Sequence, residues 1–439
     1  MNILEKIRQA AYPLTGDETD YQAMLEQVGE AQVVMIGEAS HGTHEFYAER
    51  ARITEQLIKH HGFTAVAVEA DFPDAYRVNC YVRGVGDDKN ADQALGDFKR
   101  FPTWMWRNTV MVNFVSWLQS YNAQQEKSAA KVGFYGLDLY SLYSSIEAVI
   151  EYLDKVDPEA AQRARYRYSC LGHSQEDPQA YGYAAAFGMK PDCENNVVTQ
   201  LVELRNRSGE YIGSDGRSAE EAFFYAEQNA RLAINAEEYY RKMFEGRVSS
   251  WNLRDQHMVE TLDELIKHLS QQQGKPAKVV VWEHNSHLGD ARATDMGRHG
   301  EWNVGQLVRE RYGGAACNIG FTTYTGTVSA ASDWGRPVER KRVRPGLSDS
   351  YENLFHQVDM PRFWLDTSAV KELRQPRLER AIGVIYLPQS ERLSHYFQTT
   401  LPDQFDFVIH IDETTALEPL ERTPGWDTGE VPDTYPTGI

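Results

Sequence analysis

The chain is poor in cysteine and in positive charge, and it has no long apolar run. Its four cysteines, Cys80, Cys170, Cys193 and Cys317, are scattered without a C-x-x-C pair. That argues against a disulfide framework or a structural zinc site and fits a reduced, cytosolic setting. No stretch approaches the roughly 18–20 apolar residues needed to cross a bilayer. The opening Met1-Asn2-Ile3-Leu4-Glu5-Lys6-Ile7 lacks the apolar core and small-residue cleavage site of a secretory signal, so a cytoplasmic protein without a membrane partner is expected. Lys and Arg number 45 against 64 Asp and Glu, a net charge of −19. Nucleic acid and polyanions are disfavoured as partners, because binding phosphate needs a basic face. Several catalytic signatures are also missing. No Walker A or G-x-G-x-x-G loop is present, which disfavours nucleotide-driven chemistry. Ser40 stands in G-x-x-S-x-G, one residue out of register with the nucleophile elbow G-x-S-x-G. His44-Glu45 lacks the second His of the zinc-protease helix H-E-x-x-H.

What the chain does have is a pattern of short apolar runs, each ending in acid, base or amide side chains. Val33-Val34-Met35-Ile36 leads into Gly37-Glu38-Ala39-Ser40-His41-Gly42, and Ala65-Val66-Ala67-Val68 into Glu69-Ala70-Asp71. Val132-Gly133-Phe134-Tyr135-Gly136-Leu137 ends in Asp138, and Val279-Val280-Val281-Trp282 in Glu283-His284-Asn285-Ser286-His287. Runs of this kind read as fully buried strands, and the helical stretches between them predict an α/β fold with a mainly parallel sheet flanked by helices. In open sheets of that class ligands bind beyond the carboxyl ends of the strands. Four strands delivering Glu, His and Asp to one edge point to an enzyme.

The chain divides into a first part of the α/β core at 1–143, a helical insertion at 144–273, a second part of the core at 274–417 and a C-terminal tail at 418–439. Helices are predicted at Tyr47–His61, stopped by Gly62, and across Trp104–Tyr121. Ala219–Met243 and Asn252–Gln271 read as two long helices interrupted near Gly246, a hairpin that covers or flanks the pocket. The sheet pattern returns at Lys278 and continues through Ala315–Thr325, Ala381–Leu387 and Phe405–Ile411.

His41 is the natural general base, since an imidazole titrates near neutrality. Glu38 and Glu69 are placed to hold its tautomer and to stabilise its protonated form. An isolated strand-end His more often caps a helix; the company of other titratable groups favours the chemical role. His284 and His287 are candidates for oxyanion donors or metal ligands, or for satisfying buried polar groups in a loop. Arg50, on the helix after the first motif, either returns toward the site or forms a surface salt bridge. Asp71, Asp138 and Arg254 are the candidate substrate-binding residues. For Arg254 the plainer reading is a solvated charge pair behind an N-capping Asn252. The basic run Arg336–Arg344 reads first as a solvated loop, and Trp104, Trp106, Trp117 and Tyr121 as core.

The combination resembles the erythromycin esterase family, including its unassigned members labelled succinoglycan-biosynthesis related. The residues that carry the resemblance are G-E-A-S-H-G-T-H-E-F at 37–46, Val-Glu-Ala-Asp at 68–71, Gly-Leu-Asp at 136–138 and Trp-Glu-His-Asn-Ser-His at 282–287. Asn252-Leu253-Arg254-Asp255, Gly383-Val384-Ile385-Tyr386 and Ser394-His395-Tyr396-Phe397 extend it. The resemblance implies hydrolysis of a macrolide lactone by water without an acyl-enzyme; no cofactor is expected. His41 would be the base, Glu38 and Glu69 the family's carboxylates, Arg50 its arginine, and His284 and His287 its paired histidines. The late segments are more similar to the unassigned members than to the antibiotic-resistance esterases. The expected partner is a small-molecule ester or lactone. Two competing readings use the same cluster: a metal-dependent hydrolase with a bound water as nucleophile, and a small-molecule-binding protein.

Overall fold

The apolar runs form strands because their β-branched side chains suit a pleated surface buried on both faces. The structure, a computed structural model, describes residues 1–126, 131–171, 178–189, 192–213, 217–244 and 246–429. Its strands are β1 (Tyr12–Pro13), β2 (Val33–Ile36), β3 (Ala65–Asp71), β4 (Gly133–Asp138), β5 (Val279–Trp282), β6 (Ala316–Ala330), β7 (Glu339–Val343), β8 (Arg362–Asp366), β9 (Arg377–Arg380), β10 (Tyr396–Thr399) and β11 (Phe407–Thr414). The chain forms two compact units: Met1–Val66, Tyr81–Val132 and Lys278–Ile439 make the first, and Ala67–Cys80 and Gly133–Ala277 the second.

In the first unit the strand order is β1-β8-β11-β6-β2-β5. The central strands β11, β6, β2 and β5 run parallel. β8 pairs antiparallel with β11, β1 with β8, and β7 with the far end of β6. This is the expected α/β class, with an antiparallel margin on a parallel centre. Every residue of β2 and β5 is buried, each large aliphatic side chain contributing roughly 1.5–3 kcal/mol of hydrophobic stabilisation. The helix His44–His61 follows β2 and buries Phe46, Tyr47, Ile53 and Leu57. It stops at Gly62, whose φ of +73° a side-chain-bearing residue adopts at a cost. Trp282 at the end of β5 donates through Nε1 to Thr54 Oγ1 of that helix at 2.9 Å.

The second unit sets β3 beside β4 and covers them with helices. The pair needs Gly136: a Cβ there would lie 2.4 Å from the Ala70 carbonyl oxygen. Two long helices follow one another as expected, Arg217–Lys242 and Arg247–Gln273. The first of them buries Ala226, Ala230, Ala233 and Ala236 and packs on the helix Leu142–Val156, among others. The second packs on β4.

Several expectations need correction. The helix predicted over Trp104–Tyr121 starts only at Thr109, because the Asn108 side chain caps it by accepting the Met111 N–H at 2.8 Å. Trp104 lies in a separate 3-10 turn, Thr103–Met105. The Arg336–Arg344 run is not a free loop: five of its residues form β7, and Lys341 is buried with its Nζ on Ser332 Oγ at 2.6 Å and the Tyr386 carbonyl at 3.1 Å. The apolar run at Ala381–Leu387 makes no strand, only isolated bridges from Ile382 to Ser40 and from Ile385 to Ala331. Asn252 is not an N-cap, since its helix already begins at Arg247. Cys170 and Cys193 are joined in a disulfide, where reduced cysteines were expected; Cys80 and Cys317 are free. In the C-terminal segment Trp426 is buried and donates to Ser329 Oγ at 2.6 Å; residues 430–439 lie outside the described residues.

Candidate active site

Tight backbone contacts build the loop that follows β2. A Cβ on Gly37 would lie 2.2 Å from Asn285 Oδ1, and one on Gly42 would lie 1.9 Å from the Ser329 carbonyl oxygen. Only glycine lets those groups approach. Between the two glycines, Ile382 grips the loop from both sides: its carbonyl accepts the His41 N–H at 3.3 Å, and its N–H donates to the Ala39 carbonyl at 2.9 Å. Ser40 spends its hydroxyl on Thr43 Oγ1.

The loop thereby presents His41, buried and backed by charge. Its Nδ1 lies 2.9 Å from Glu38 Oε1. A carboxylate only accepts, so Nδ1 carries the proton and the Nε2 lone pair is the basic position. The other Glu38 oxygen accepts Arg50 Nη2 at 2.8 Å. Arg50 is fully buried, its guanidinium 4.3 Å from the Tyr47 ring centroid and 5.0 Å from that of Trp282. Of its two sequence readings the structure gives the inward one. Removing either partner of such a buried pair leaves an uncompensated charge, at a cost of about 3–5 kcal/mol.

His284 follows β5 and caps the short helix Asn285–Leu288. Its Nδ1 accepts the Ser286 N–H at 3.2 Å, so the neutral ring carries its proton on Nε2. Its ring centroid is 4.7 Å from that of His41. Two imidazoles thus meet with opposite tautomers, one offering a lone pair at Nε2 and the other an N–H. Glu283 and His287 are buried on either side of this turn.

Sequence reasoning missed what holds the turn. The Asn285 amide donates to the Phe321 carbonyl at 2.8 Å and to Glu379 Oε1 at 3.2 Å, while its N–H donates to the Glu38 carbonyl at 2.8 Å. Glu379 is fully buried. Burial, reinforced by the neighbouring Glu352, pushes its carboxyl well above the usual range. Burial also raises Glu352, with Arg380 partly opposing it. Asn285 lies inside a motif singled out above; nothing in the charged dipeptide Glu379-Arg380 signals that it faces inward.

The second unit holds its own charged cluster. Arg254 grips Asp138 with two hydrogen bonds, Nε to Oδ1 at 2.9 Å and Nη2 to Oδ2 at 2.7 Å. The same Nη2 donates to Glu69 Oε1 at 2.7 Å. Burial raises the Asp138 carboxyl, but the charge and hydrogen bonds of Arg254 outweigh it and hold the group below its ordinary value. Arg254 is therefore not the solvated charge expected of a helix surface: its side chain is 12% exposed and rests against the Tyr140 ring. Asp71 is buried at the end of β3. Nearby His257 is structural, with Nδ1 on the Asn235 amide at 2.7 Å; burial and then Arg231 push its pKa down to about 3. Among the described residues no three His, Cys, Asp or Glu side chains are arranged to hold a metal ion.

The family model described as Erythromycin esterase matches residues 58–414. A protein of Bacillus subtilis (strain 168) named "Putative hydrolase YbfO" is 22% identical over 405 residues, covering 88% of this chain and 84% of its own. The erythromycin esterase type II of Escherichia coli is 22% identical over 323 residues, 71% of this chain and 73% of that one. Among solved structures, one described as a succinoglycan biosynthesis protein superposes with a TM-score of 0.76 at 22% identity, covering 95% of this chain and 98% of the other.

Proposed function

Because the chain belongs to the erythromycin esterase family, which marks it as a hydrolase, we propose that it opens a carboxylic ester or macrolide lactone with water activated by His41, without an acyl-enzyme. The observation that carries this reading is the Glu38–His41 contact, with the His284 ring packed against that of His41.

His41 Nε2 takes a proton from water as the oxygen attacks the carbonyl carbon. Glu38 keeps the proton on Nδ1 and stabilises the imidazolium that results. The Nε2–H of His284 donates to the oxyanion of the tetrahedral intermediate, a role worth about 10²–10³ in rate for a well-aimed donor. When the intermediate collapses, the C–O bond to the leaving alcohol breaks, and His41 returns the proton to that oxygen. Arg50 acts through Glu38 rather than on substrate, so it is a positioning residue in place of an oxyanion donor. His287 is retained as a second donor on the same turn. In the second unit Arg254, held by Asp138, is the fixed positive partner of Glu69. The name of the Escherichia coli relative supports a macrolide as the first substrate to try.

The test is erythromycin turnover followed by mass spectrometry, together with a panel of simple esters and lactones, for the wild type and His41→Ala. A product carrying one added water, absent with the variant, supports the reading. Hydrolysis that survives in His41→Ala removes it, and a wild type active only on other esters narrows the substrate while keeping the chemistry.

A further inference from the structure

A cleft of about 550 Å³ opens in the first unit between the segments 344–347 and 388–393. Buried tyrosine hydroxyls pin both of its walls from behind. Tyr386 accepts the Arg344 N–H at 3.2 Å and donates to Glu391 Oε1 at 2.8 Å. Tyr396 accepts the Leu347 N–H at 3.3 Å and the Nε–H of fully buried Arg380 at 2.8 Å. Glu391, the one carboxylate among the described lining residues, is thus turned inward, its oxygen also 3.3 Å from Arg380. What remains at the opening is positive and apolar. Arg344 and Arg392 are both exposed, and neither guanidinium meets a carboxylate, a carbonyl or a ring among the described residues. In a chain of net charge −19, two unneutralised arginines, one on each wall of a preformed cleft, stand out. Leu393, 89% exposed, adds hydrocarbon beside Pro345, Leu347 and Pro388. The volume falls within the range of small-molecule sites.

We propose that this cleft binds a small organic anion, its carboxylate or phosphate group held by Arg344 and Arg392 and its hydrocarbon part against Leu347, Pro388 and Leu393. Arginine suits the head group because its planar fork matches an oxyanion. The site is independent of the hydrolytic reading, and it is tested without turnover.

Titration calorimetry on the full chain, with octanoate, octyl phosphate, inorganic phosphate and octanol as probes, decides the matter. Both organic anions are expected to bind one per chain, more tightly than octanol or inorganic phosphate, and the tighter of the two identifies the head group. The double variant R344Q/R392Q should weaken both by about tenfold or more. Leu393→Ser should weaken the organic anions and leave inorganic phosphate unchanged. Because the altered side chains are exposed, an unchanged circular dichroism spectrum and unfolding midpoint are expected and are checked alongside. The proposal is overturned if neither anion saturates a site at millimolar concentration, if octanol binds as tightly as octanoate, or if binding survives R344Q/R392Q.

Discussion

His41 gains its role from what sits behind it. An imidazole alone is a weak base of either tautomer; Glu38 at 2.9 Å selects one, and Arg50 at 2.8 Å holds Glu38 in place. Glu38→Gln is therefore expected to keep the fold and lower kcat by about 10²–10⁴, read from initial rates beside a circular dichroism spectrum; turnover left unchanged would contradict the assignment. Arg50→Met leaves the buried Glu38 carboxylate with the His41 N–H but without its guanidinium partner. Its unfolding free energy in urea should fall by about 3–5 kcal/mol. His257 gives a pH signature. Folded, it takes a proton only near pH 3, whereas an unfolded imidazole does so near 6.5. Between those values the unfolded chain binds more protons, so stability is full above about 6.5 and falls as the pH drops. By pH 5 the loss is about 2 kcal/mol. His257→Gln should remove that part of the acid limb, which urea midpoints at pH 5 and 8 would reveal. At this scale the sequence was most legible where donors and acceptors are local: Glu38, His41 and His284 lie in strand-end motifs. Glu379, Glu352 and Arg380 were not legible, because burial of a charged residue depends on partners far away in the chain.

At the level of elements, the strands that were easiest to foresee are those buried on both faces, β2 to β5, whose runs are uniformly apolar. The strands missed are marginal or polar. β7 is Glu-Arg-Lys-Arg-Val and is recruited by pairing to β6 rather than by its own composition. The opposite error occurred at Ala381–Leu387, an apolar run kept out of the ladder because Ile382 pairs with the loop that carries His41. That loop makes a prediction of its own. Gly42→Ala would drive a Cβ to 1.9 Å from a carbonyl oxygen, so the loop must shift and carry His41 with it. A stability loss of roughly 1–3 kcal/mol, with kcat falling further than in a comparably destabilised core variant, is the expected result. An alanine variant with wild-type kcat and midpoint would show that the loop is not held as described.

For the whole molecule, family membership and fold are established together: the family model spans most of the chain, and a solved relative superposes over 95% of it. No helix among the described residues is long and apolar enough to cross a membrane. The α/β class and the pair of long helices were readable because both rest on periodicity and run length. The membership of Ala67–Cys80 in the same unit as Gly133–Ala277 was not, because it follows from contacts made only after folding. The central claim is that water, activated by His41, attacks the ester directly. It is tested most directly by running a single turnover in water enriched in heavy oxygen and weighing both product and intact enzyme. The account predicts one heavy oxygen in the product carboxylate and an enzyme whose mass never changes. An enzyme that transiently gains the acyl group would contradict it.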